Sequence, residues 1–508
     1  MEQGVRSDLI WRVAALTALA GATACAPVTF RPTQLPEPVS ATAASCAEVI
    51  RSVDAAVFEA GVSDGMAARV DGFPYLRVNR FLASYANDDL TDAQFRDWMQ
   101  RMARLALESY EFETSNLPSD DKQRLTRRLR RIGTEFSSPM QALAQCAKRL
   151  AKLDIEDPAR REQLRAAAHM PDEYLTWQRV VGLYWITQLP FASGIADWHD
   201  SVRNTFAQPV SKLAVTGKLI HYAPPPVESL IDVRTILARS RENPLGIPDP
   251  SGADREALFR VFAPTFVIDT AGDWDRPGRL GWHGSDFATV RVGEPLVYRR
   301  LSHTRYRGRA LLQLSYGIWF TERPRHAGWD MLGGHLDGVI WRITLSPGGD
   351  ALIYDSIHQC GCYHQFFPTP LAVLKPAPET LNETAFVPQT LPHVLPGMPV
   401  RVRLASGTHH IERVTVGESF SGATISYGFD DDNTLRSMPL ADGGARSVFR
   451  PDGLVAGTER AERYLFWPMG VPEPGAMREW GRHATAFVGR RQFDDADVVA
   501  RDFDLSFK

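Results

Sequence analysis

The first half of the chain has the spacing of amphipathic helices. After Asp92, which can cap a helix, apolar residues recur three or four positions apart through residues 95–106. Residues 119–132 repeat this pattern, with leucine and isoleucine on one face and a run of arginines on the other. We therefore predict a helical domain over residues 45–206.

The second half changes to short runs of β-branched and aromatic residues separated by glycine and proline. Runs of this kind occupy residues 260–268, 287–292, 310–320, 338–345, 351–357, 400–404, 409–416 and 423–429. Segments at this spacing predict an antiparallel sandwich or barrel-like domain over residues 256–508. The chain is therefore expected to be α+β, with an N-terminal helical domain followed by a larger β-rich domain.

Proline-rich segments separate these predicted domains. Residues 26–44 follow the N-terminal segment and are predicted to form an extended tether. Residues 207–255 include Pro224-Pro225-Pro226 and are predicted to link the two domains.

The first 25 residues are typical of a targeting segment. Two arginines precede residues 13–24, a run of twelve uncharged residues that falls short of the roughly 20 needed to span a bilayer. Ala22-Thr23-Ala24-Cys25 ends this segment and resembles the lipobox of bacterial lipoproteins. The resemblance covers residues 1–25 only, and an ordinary secretory signal is the alternative.

The lipobox resemblance implies that Cys25 is lipidated and becomes the mature N-terminus. Ala26 follows it, where an aspartate would indicate retention at the inner membrane. We therefore expect a protein anchored by lipid to the outer membrane and facing the periplasm.

Composition agrees with an exported body of two or three domains. The chain has 508 residues, of which 44% are hydrophobic and 23% charged, and its formal net charge is −3. A charge so close to neutral gives no electrostatic footprint for nucleic acid, and export argues against that partner independently.

The cysteine count predicts one structural disulfide. Five cysteines are present, and lipidation of Cys25 leaves four. Cys46 and Cys146 lie in two predicted helices of the same domain, so we expect them to pair. Two unpaired buried thiols are the alternative.

One predicted hairpin concentrates the reactive side chains of the chain. Residues 346–350 have a turn composition, and pairing Leu345 with Ala351 would place Ile343 opposite Ile353. In that register His335 and Asp337 share the core-facing side of the first strand. The second strand ends near them with His358, Cys360, Cys362 and His364.

This cluster supports three chemical hypotheses. The first is a divalent metal site, with zinc as the example, held by His335, Asp337 and either His358 or His364. A water on such a metal would be acidified for hydrolysis. The two thiols of the hairpin are further candidate ligands if they are reduced.

The second hypothesis is a thiol nucleophile. Cys360 or Cys362 would be activated by His335 or His358 and oriented by Asp337. The third hypothesis is a small, labile disulfide between the two cysteines. A purely structural cluster is the alternative to all three.

Other histidines leave the composition of the site open. His335-x-Asp337 followed by His409-His410 resembles the facial triad of iron and 2-oxoglutarate oxygenases. Arg413 departs from that pattern, because it lies too close to the distal histidine to be the family's cosubstrate arginine. Whether His409, His410 or His483 joins the site is undecided by sequence.

Two functions follow as hypotheses. The first is a cell-envelope hydrolase, metal- or Cys–His-dependent, that acts on envelope material such as peptidoglycan. The alternative is a non-catalytic envelope lipoprotein that binds a glycan or a protein partner. Residues 459–467 and 480–491 combine arginine with aromatic side chains and could form a surface of that kind.

Overall fold

A computed structural model describes residues 41–132, 138–226, 231–284, 287–325, 330–417 and 424–507. The predicted α+β class is confirmed, because an N-terminal helical region precedes a larger β-rich region with several sheets. Cys25 and the targeting segment lie outside the described residues, as does most of the predicted tether.

The described residues contain eleven α-helices. Their bounds are α1 Ala41–Glu59, α2 Arg80–Ala83, α3 Asp92–Asn116, α4 Ser119–Ile132, α5 Pro139–Glu156, α6 Pro158–Ala167, α7 Thr176–Val181, α8 Tyr184–Ala207, α9 Val233–Ser240, α10 Gly252–Val261 and α11 Arg463–Phe466. Short 3-10 helices occupy Val210–Lys212, Asp273–Asp275, Asp432–Arg436 and Trp467–Met469. Across the described residues, none of the helices combines the length and apolar character needed to cross a bilayer.

Local sequence explains where the long helices begin. Thr91 caps α3 by accepting from the Gln94 backbone, and the Gln94 side chain returns a bond to the Thr91 backbone. Helix α4 begins at Ser119, as predicted, with two aspartates in its first turn and two arginines in its last. A hairpin of β1 (Ala68–Val70) and β2 (Phe73–Val78) lies among these helices and was not predicted.

The β-rich region is built on two larger sheets. The six-stranded sheet runs β11 (Gln365–Pro368), β10 (Ala351–His358), β9 (Gly334–Leu345), β8 (Arg309–Arg323), β7 (Leu296–Tyr306) and β16 (Gly428–Asp431). The five-stranded sheet runs β14 (Ile411–Val416), β13 (Val400–Leu404), β4 (Thr265–Thr270), β3 (Lys218–Ala223) and β15 (Thr424–Ser426). Smaller pairs are β5 (Arg279–His283) with β6 (Phe287–Arg291), β12 (Ala372–Leu374) with β19 (Phe503–Leu505), and β17 (Met438–Pro439) with β18 (Ala445–Arg446).

The two larger sheets share one core. Phe266 and Val402 from the five-stranded sheet pack in the same buried cluster as Tyr316, Val339 and Trp341 from the six-stranded sheet. None of the sheets in the described residues is closed. The arrangement is therefore a sandwich rather than a barrel.

The outer face of the six-stranded sheet is covered by the C-terminal part of the chain. Ile340 and Ile357 on that face pack against Phe493, and Arg342 donates to the Phe493 carbonyl at 2.6 Å. Every residue of β10 is buried for this reason.

The predicted hairpin forms, but its predicted register holds only at the first pair. Ala351 lies opposite Leu345 as predicted, and a bulge between Ala351 and Ile353 then places Ile353 opposite Thr344. The prediction of Ile343 opposite Ile353 was wrong. A bulge adds one unpaired residue without altering the apolar pattern that the prediction used.

This one-residue shift decides which side chains face the core. Asp355 lies opposite Arg342 on the outer face, and His358 lies opposite Val339 on the inner face. His358 thereby shares the inner face with Asp337, 3.6 Å away.

The segment predicted as a linker contributes to the sandwich. Residues 207–255 contain β3, which pairs with both β4 and β15 inside the five-stranded sheet, and helix α9. Charged contacts also join the helical region to the C-terminal part, since Arg436 bonds Asp64 at 2.8 Å and Arg80 bonds Asp494 at 3.0 Å.

The predicted Cys46–Cys146 disulfide is present and closes a loop with a sequence separation of 100. Replacing both cysteines by alanine should lower the free energy of unfolding by about 4–5 kcal/mol, because the unfolded chain regains loop entropy. Urea unfolding followed by circular dichroism measures this loss. Reduced wild type is the control and should match the variant, whereas equal stability of oxidised and reduced wild type would contradict the prediction.

Candidate functional site

A buried histidine joins the two sheets through two aspartates. His409 Nδ1 donates to Asp337 Oδ2 at 2.8 Å, and its Nε2 lies 3.4 Å from Asp275 Oδ1. The imidazole stacks on Phe320, with ring centroids 3.8 Å apart and planes tilted by 2°. All three charged side chains are at most 1% exposed.

Two turns hold this bridge in place. Asp275 ends the 3-10 helix that follows β4, and His409 lies in the turn between β13 and β14 with φ of 55°. Asp275 accepts the Gly407 backbone N–H at 2.6 Å and the Ser406 hydroxyl at 2.8 Å. The carboxylate thus orders the turn that presents the histidine, and its own hydrogen-bonding needs are met.

The bridge consists of opposite charges. Burial disfavours the charged imidazole, but its interactions with the carboxylates of Asp275 and Asp337 raise the pKa of His409 above its ordinary value. Burial would raise the pKa of Asp337, yet its interactions with His358 and His409 and the charge of Arg460 hold that pKa well below the usual range. We therefore describe an imidazolium between two carboxylates.

Two further histidines, His358 and His410, lie near Asp337. His358 lies 3.6 Å from Asp337 Oδ1, and its ring centroid is 5.4 Å from that of His410. The buried His410 Nε2 has no hydrogen-bond partner among the described residues. Tyr363, in the left-handed conformation with φ of 62°, packs on both imidazoles at 4.9 and 4.5 Å.

The structure does not bring His335 together with Asp337. His335 Nε2 lies 2.7 Å from the Ala288 carbonyl on β6. Leu336, between the two residues, has φ of 50°, which breaks the alternation that the prediction assumed. The predicted shared face of His335 and Asp337 was therefore wrong.

His364 also lies apart from Asp337, on the outer face of the sheet. It donates from Nε2 to Asp355 at 2.9 Å, and the same carboxylate binds Arg342 in a bidentate pair. Burial lowers the pKa of His364 to about 3, despite the bond to Asp355. A neutral imidazole in this position orients a buried ion pair.

Cys360 and Cys362 lie at the tight turn after β10 and are not joined by a disulfide. The Cys362 thiol donates to Cys360, which lowers the pKa of Cys360, and the charge of Arg460 adds to this effect. The pKa of Cys362 is raised well above its ordinary value by the same bond and by burial. In the described residues neither thiol is hydrogen bonded to a histidine.

The two cysteines line an apolar cleft beside this centre. The cleft has a volume of about 520 Å³, within the range of small-molecule sites. Phe191, Phe466 and Phe487 form one wall, with neighbouring ring centroids 5.2 Å apart. Trp198 also lines the cleft, and its ring packs on that of Tyr363 with centroids 5.3 Å apart.

Two carboxyl groups line this cleft, the half-buried Glu383 and the buried Glu462. Glu383 accepts the Phe487 and Val488 backbone N–H groups at 2.5 and 2.9 Å. Burial raises the pKa of Glu462 to about 7, although Arg460 and Arg323 act to lower it. Glu462 therefore changes its charge near neutral pH.

Sequence reasoning missed several of these residues. Asp275 carries no motif signal, because its role depends on a turn that contacts it from more than 130 residues away. Neither Trp198 nor Tyr363 was assigned a role from the sequence, although Tyr363 lies directly beside Cys362. Glu462 was noted only within a charged run, and its burial depends on the cleft.

No metal centre is evident from the described residues, which contain no group of three or more histidine, cysteine, aspartate or glutamate side chains placed to hold an ion. The zinc hypothesis therefore stays a prediction. Comparison with family models, curated proteins and solved structures finds no match to this chain. Inference about function therefore depends on the geometry described above.

The imidazolium bridge should make stability depend on pH. His409→Gln should lower the free energy of unfolding by about 3–5 kcal/mol near pH 6, because two buried carboxylates lose their cation. A raised folded-state pKa stabilises fully below the unfolded value of about 6.5 and loses its effect as pH rises through the folded value. The difference between wild type and variant should therefore shrink at alkaline pH.

Urea unfolding over a pH series measures this difference. His393→Gln is the matched control, since that histidine is exposed and lies 3.7 Å from Asp350. The control should show a small difference at every pH. A loss in His409→Gln that is constant across the series would contradict the charged bridge.

Proposed function

We propose that this chain is a lipid-anchored protein of the bacterial cell envelope that binds an apolar ligand, such as a lipid acyl chain, in the cleft beside Cys360 and Cys362. Lipidation of Cys25 would hold it at the outer membrane, facing the periplasm. This proposal develops the hypothesis of a non-catalytic envelope lipoprotein. It replaces the glycan ligand of that hypothesis by an apolar ligand, which matches the apolar wall of the cleft.

The apolar lining of the cleft is the observation that carries the proposal. Aromatic rings from three separate segments meet there, at Phe191, Phe466 and Phe487, and Trp198 also lines the cleft. Burying an acyl chain against such a wall is favourable by about 0.8 kcal/mol for each methylene group removed from water. The few polar groups, among them Glu383 and Glu462, would orient the ligand or its head group.

Hydrolysis of envelope material is the second candidate. The contact between Asp337 and His358 favours it, because a carboxylate that orients an imidazole is part of many hydrolytic sites. In this candidate Tyr363 would separate the histidines from the cleft ligand, since it contacts both His358 and the cleft wall at Trp198.

Filling the cleft tests the binding proposal. Gly194 lines the cleft on α8, and a Cβ atom added there meets no atom within 4 Å. Gly194→Trp should place an indole in the cleft and weaken binding of cis-parinaric acid at least about tenfold. Fluorescence titration of this fatty acid measures the dissociation constant.

Gly252→Trp is the matched control, because Gly252 also has open space around its Cβ position and lies outside the cleft lining. It should bind cis-parinaric acid as wild type does. Absence of saturable binding to wild type, or unchanged binding to Gly194→Trp, would contradict the proposal.

Protonation of Glu462 should modulate ligand binding. The carboxyl is neutral below its pKa of about 7 and charged above it, and an apolar ligand binds better beside the neutral form. Affinity for cis-parinaric acid should therefore fall about three- to tenfold between about pH 6 and about pH 8. Groups that act on Glu462 are Arg323, Asp337, Arg460, Arg478, Cys360 and Cys362.

Glu462→Gln should keep the high affinity of the neutral form across this range. Glu459→Gln is the control, because Glu459 pairs with Arg450 and does not line the cleft. It should retain the wild-type pH profile. A profile that persists in Glu462→Gln would assign the titration to another group.

A further inference from the structure

An exposed apolar surface lies at the end of the cleft. We call it the apolar ridge, and its members are between 43% and 71% exposed: Val180, Val181, Leu183, Trp185, Ile186, Leu189, Tyr464 and Leu465. Large hydrophobic side chains exposed singly are ordinary on protein surfaces, but a contiguous group of this size marks an interaction site.

The ridge is continuous with the cleft. The two segments of the ridge adjoin because Gly182, which directly follows α7, lies against Pro468. A Cβ atom added at Gly182 would lie 2.6 Å from the Cβ atom of Pro468. Leu465 of the ridge also lines the cleft. Leu189 precedes Pro190 and Phe191 on α8, and both of those residues line the cleft as well.

Backbone conformation at the tip of the ridge also indicates a binding role. Leu183 joins α7 to α8 with φ of 50°, a left-handed conformation that a bulky residue rarely adopts. The residue is 52% exposed and is therefore not part of the core. Unfavourable backbone conformations of this kind are retained mainly at functional positions.

The most exposed members of the ridge indicate what covers it. Trp185 and Tyr464 are 70% and 71% exposed, and these two residue types are enriched where a bilayer meets water. Arg463 donates to the Tyr464 hydroxyl at 2.9 Å, and its guanidinium also lies 3.6 Å from the Glu473 carboxylate. A lipid surface therefore fits the ridge.

The N-terminal anchor supports the same occupant. Fifteen residues separate Cys25 from Ala41, where the described residues begin, and they can span at most about 50 Å. A chain anchored at Cys25 is thus held within reach of the bilayer. Of the possible apolar partners, the membrane is the one that this tether keeps at high local concentration.

We propose that the apolar ridge inserts into the interfacial region of the membrane and that the cleft takes its ligand directly from the bilayer. This inference rests on the proposed function, because it supplies the route by which an acyl chain reaches the cleft. Insertion buries the ridge side chains to the depth of the head groups, as interfacial helices do.

Vesicle binding tests the inference. The probe is vesicles of phosphatidylethanolamine and phosphatidylglycerol, and the protein is the full chain with Cys25→Ser, so that binding does not depend on a lipid anchor. Adding Val181→Ser and Trp185→Ser should lower the partition coefficient in sedimentation at least about tenfold. Phe287→Ser with Val373→Ser is the matched control, since these residues are 54% and 59% exposed elsewhere.

A second measurement locates the contact. Brominated lipids should quench the fluorescence of the Cys25→Ser chain more strongly than that of the same chain with Trp185→Phe. Equal quenching of the two chains, or equal partitioning of the ridge and control variants, would overturn the inference. Concentration-dependent dimerisation that the ridge variant abolishes, without vesicle binding, would assign the ridge to a second copy of the chain instead.

The two proposals can fail separately. Gly194→Trp should bind vesicles as its parent chain does, although its affinity for cis-parinaric acid is lowered. The variant with Val181→Ser and Trp185→Ser should bind vesicles more weakly but keep its affinity for cis-parinaric acid in solution. If the chain does not bind vesicles but still binds cis-parinaric acid, the proposed function stands. If the chain binds vesicles but does not bind cis-parinaric acid, the proposed function is contradicted.

Discussion

The placement of His409 between Asp275 and Asp337 is the interaction on which the inner arrangement of the sandwich depends. It is the point where a turn of the five-stranded sheet contacts a strand of the six-stranded sheet through buried charge. Buried charges of this kind are tolerated only as a complete set, because removing one leaves the others uncompensated. The set also fixes Asp337, and Asp337 in turn fixes where His358 can lie. Stacking on Phe320 explains why the imidazole has a single orientation.

Sequence patterns predicted the large features correctly because those features depend on periodicity. The α+β class, the helices beginning near Asp92 and Ser119, and the Cys46–Cys146 disulfide all follow from spacing and count. The site was predicted only in part. A bulge in β10 and the left-handed Leu336 each change the face of a strand, and neither leaves a mark on the hydrophobic pattern. His358 and Asp337 do lie close together, but the strand register that brings them together differs from the predicted one.

Aromatic residues show a second limit of sequence reasoning. Residues 174–186, which include Trp185, have the aromatic composition of a core helix. In the structure Trp185 is 70% exposed and Trp198 lines a cleft. Apolar side chains that await a ligand or a membrane have the same periodicity as those that meet a neighbouring element. Only the tertiary arrangement, which leaves Trp185 exposed, distinguishes the two cases.

Tyr363 connects the two parts of the molecule that carry its chemistry. Its ring packs on Trp198, which lines the cleft, and on the imidazoles of His358 and His410. Its backbone is left-handed, with φ of 62°, and it directly follows Cys362. A ligand in the cleft would therefore press on the one residue that separates it from the buried charges. If the histidines do perform chemistry, Tyr363 has to move before a cleft ligand can reach them, so binding and any reaction would be two distinct steps.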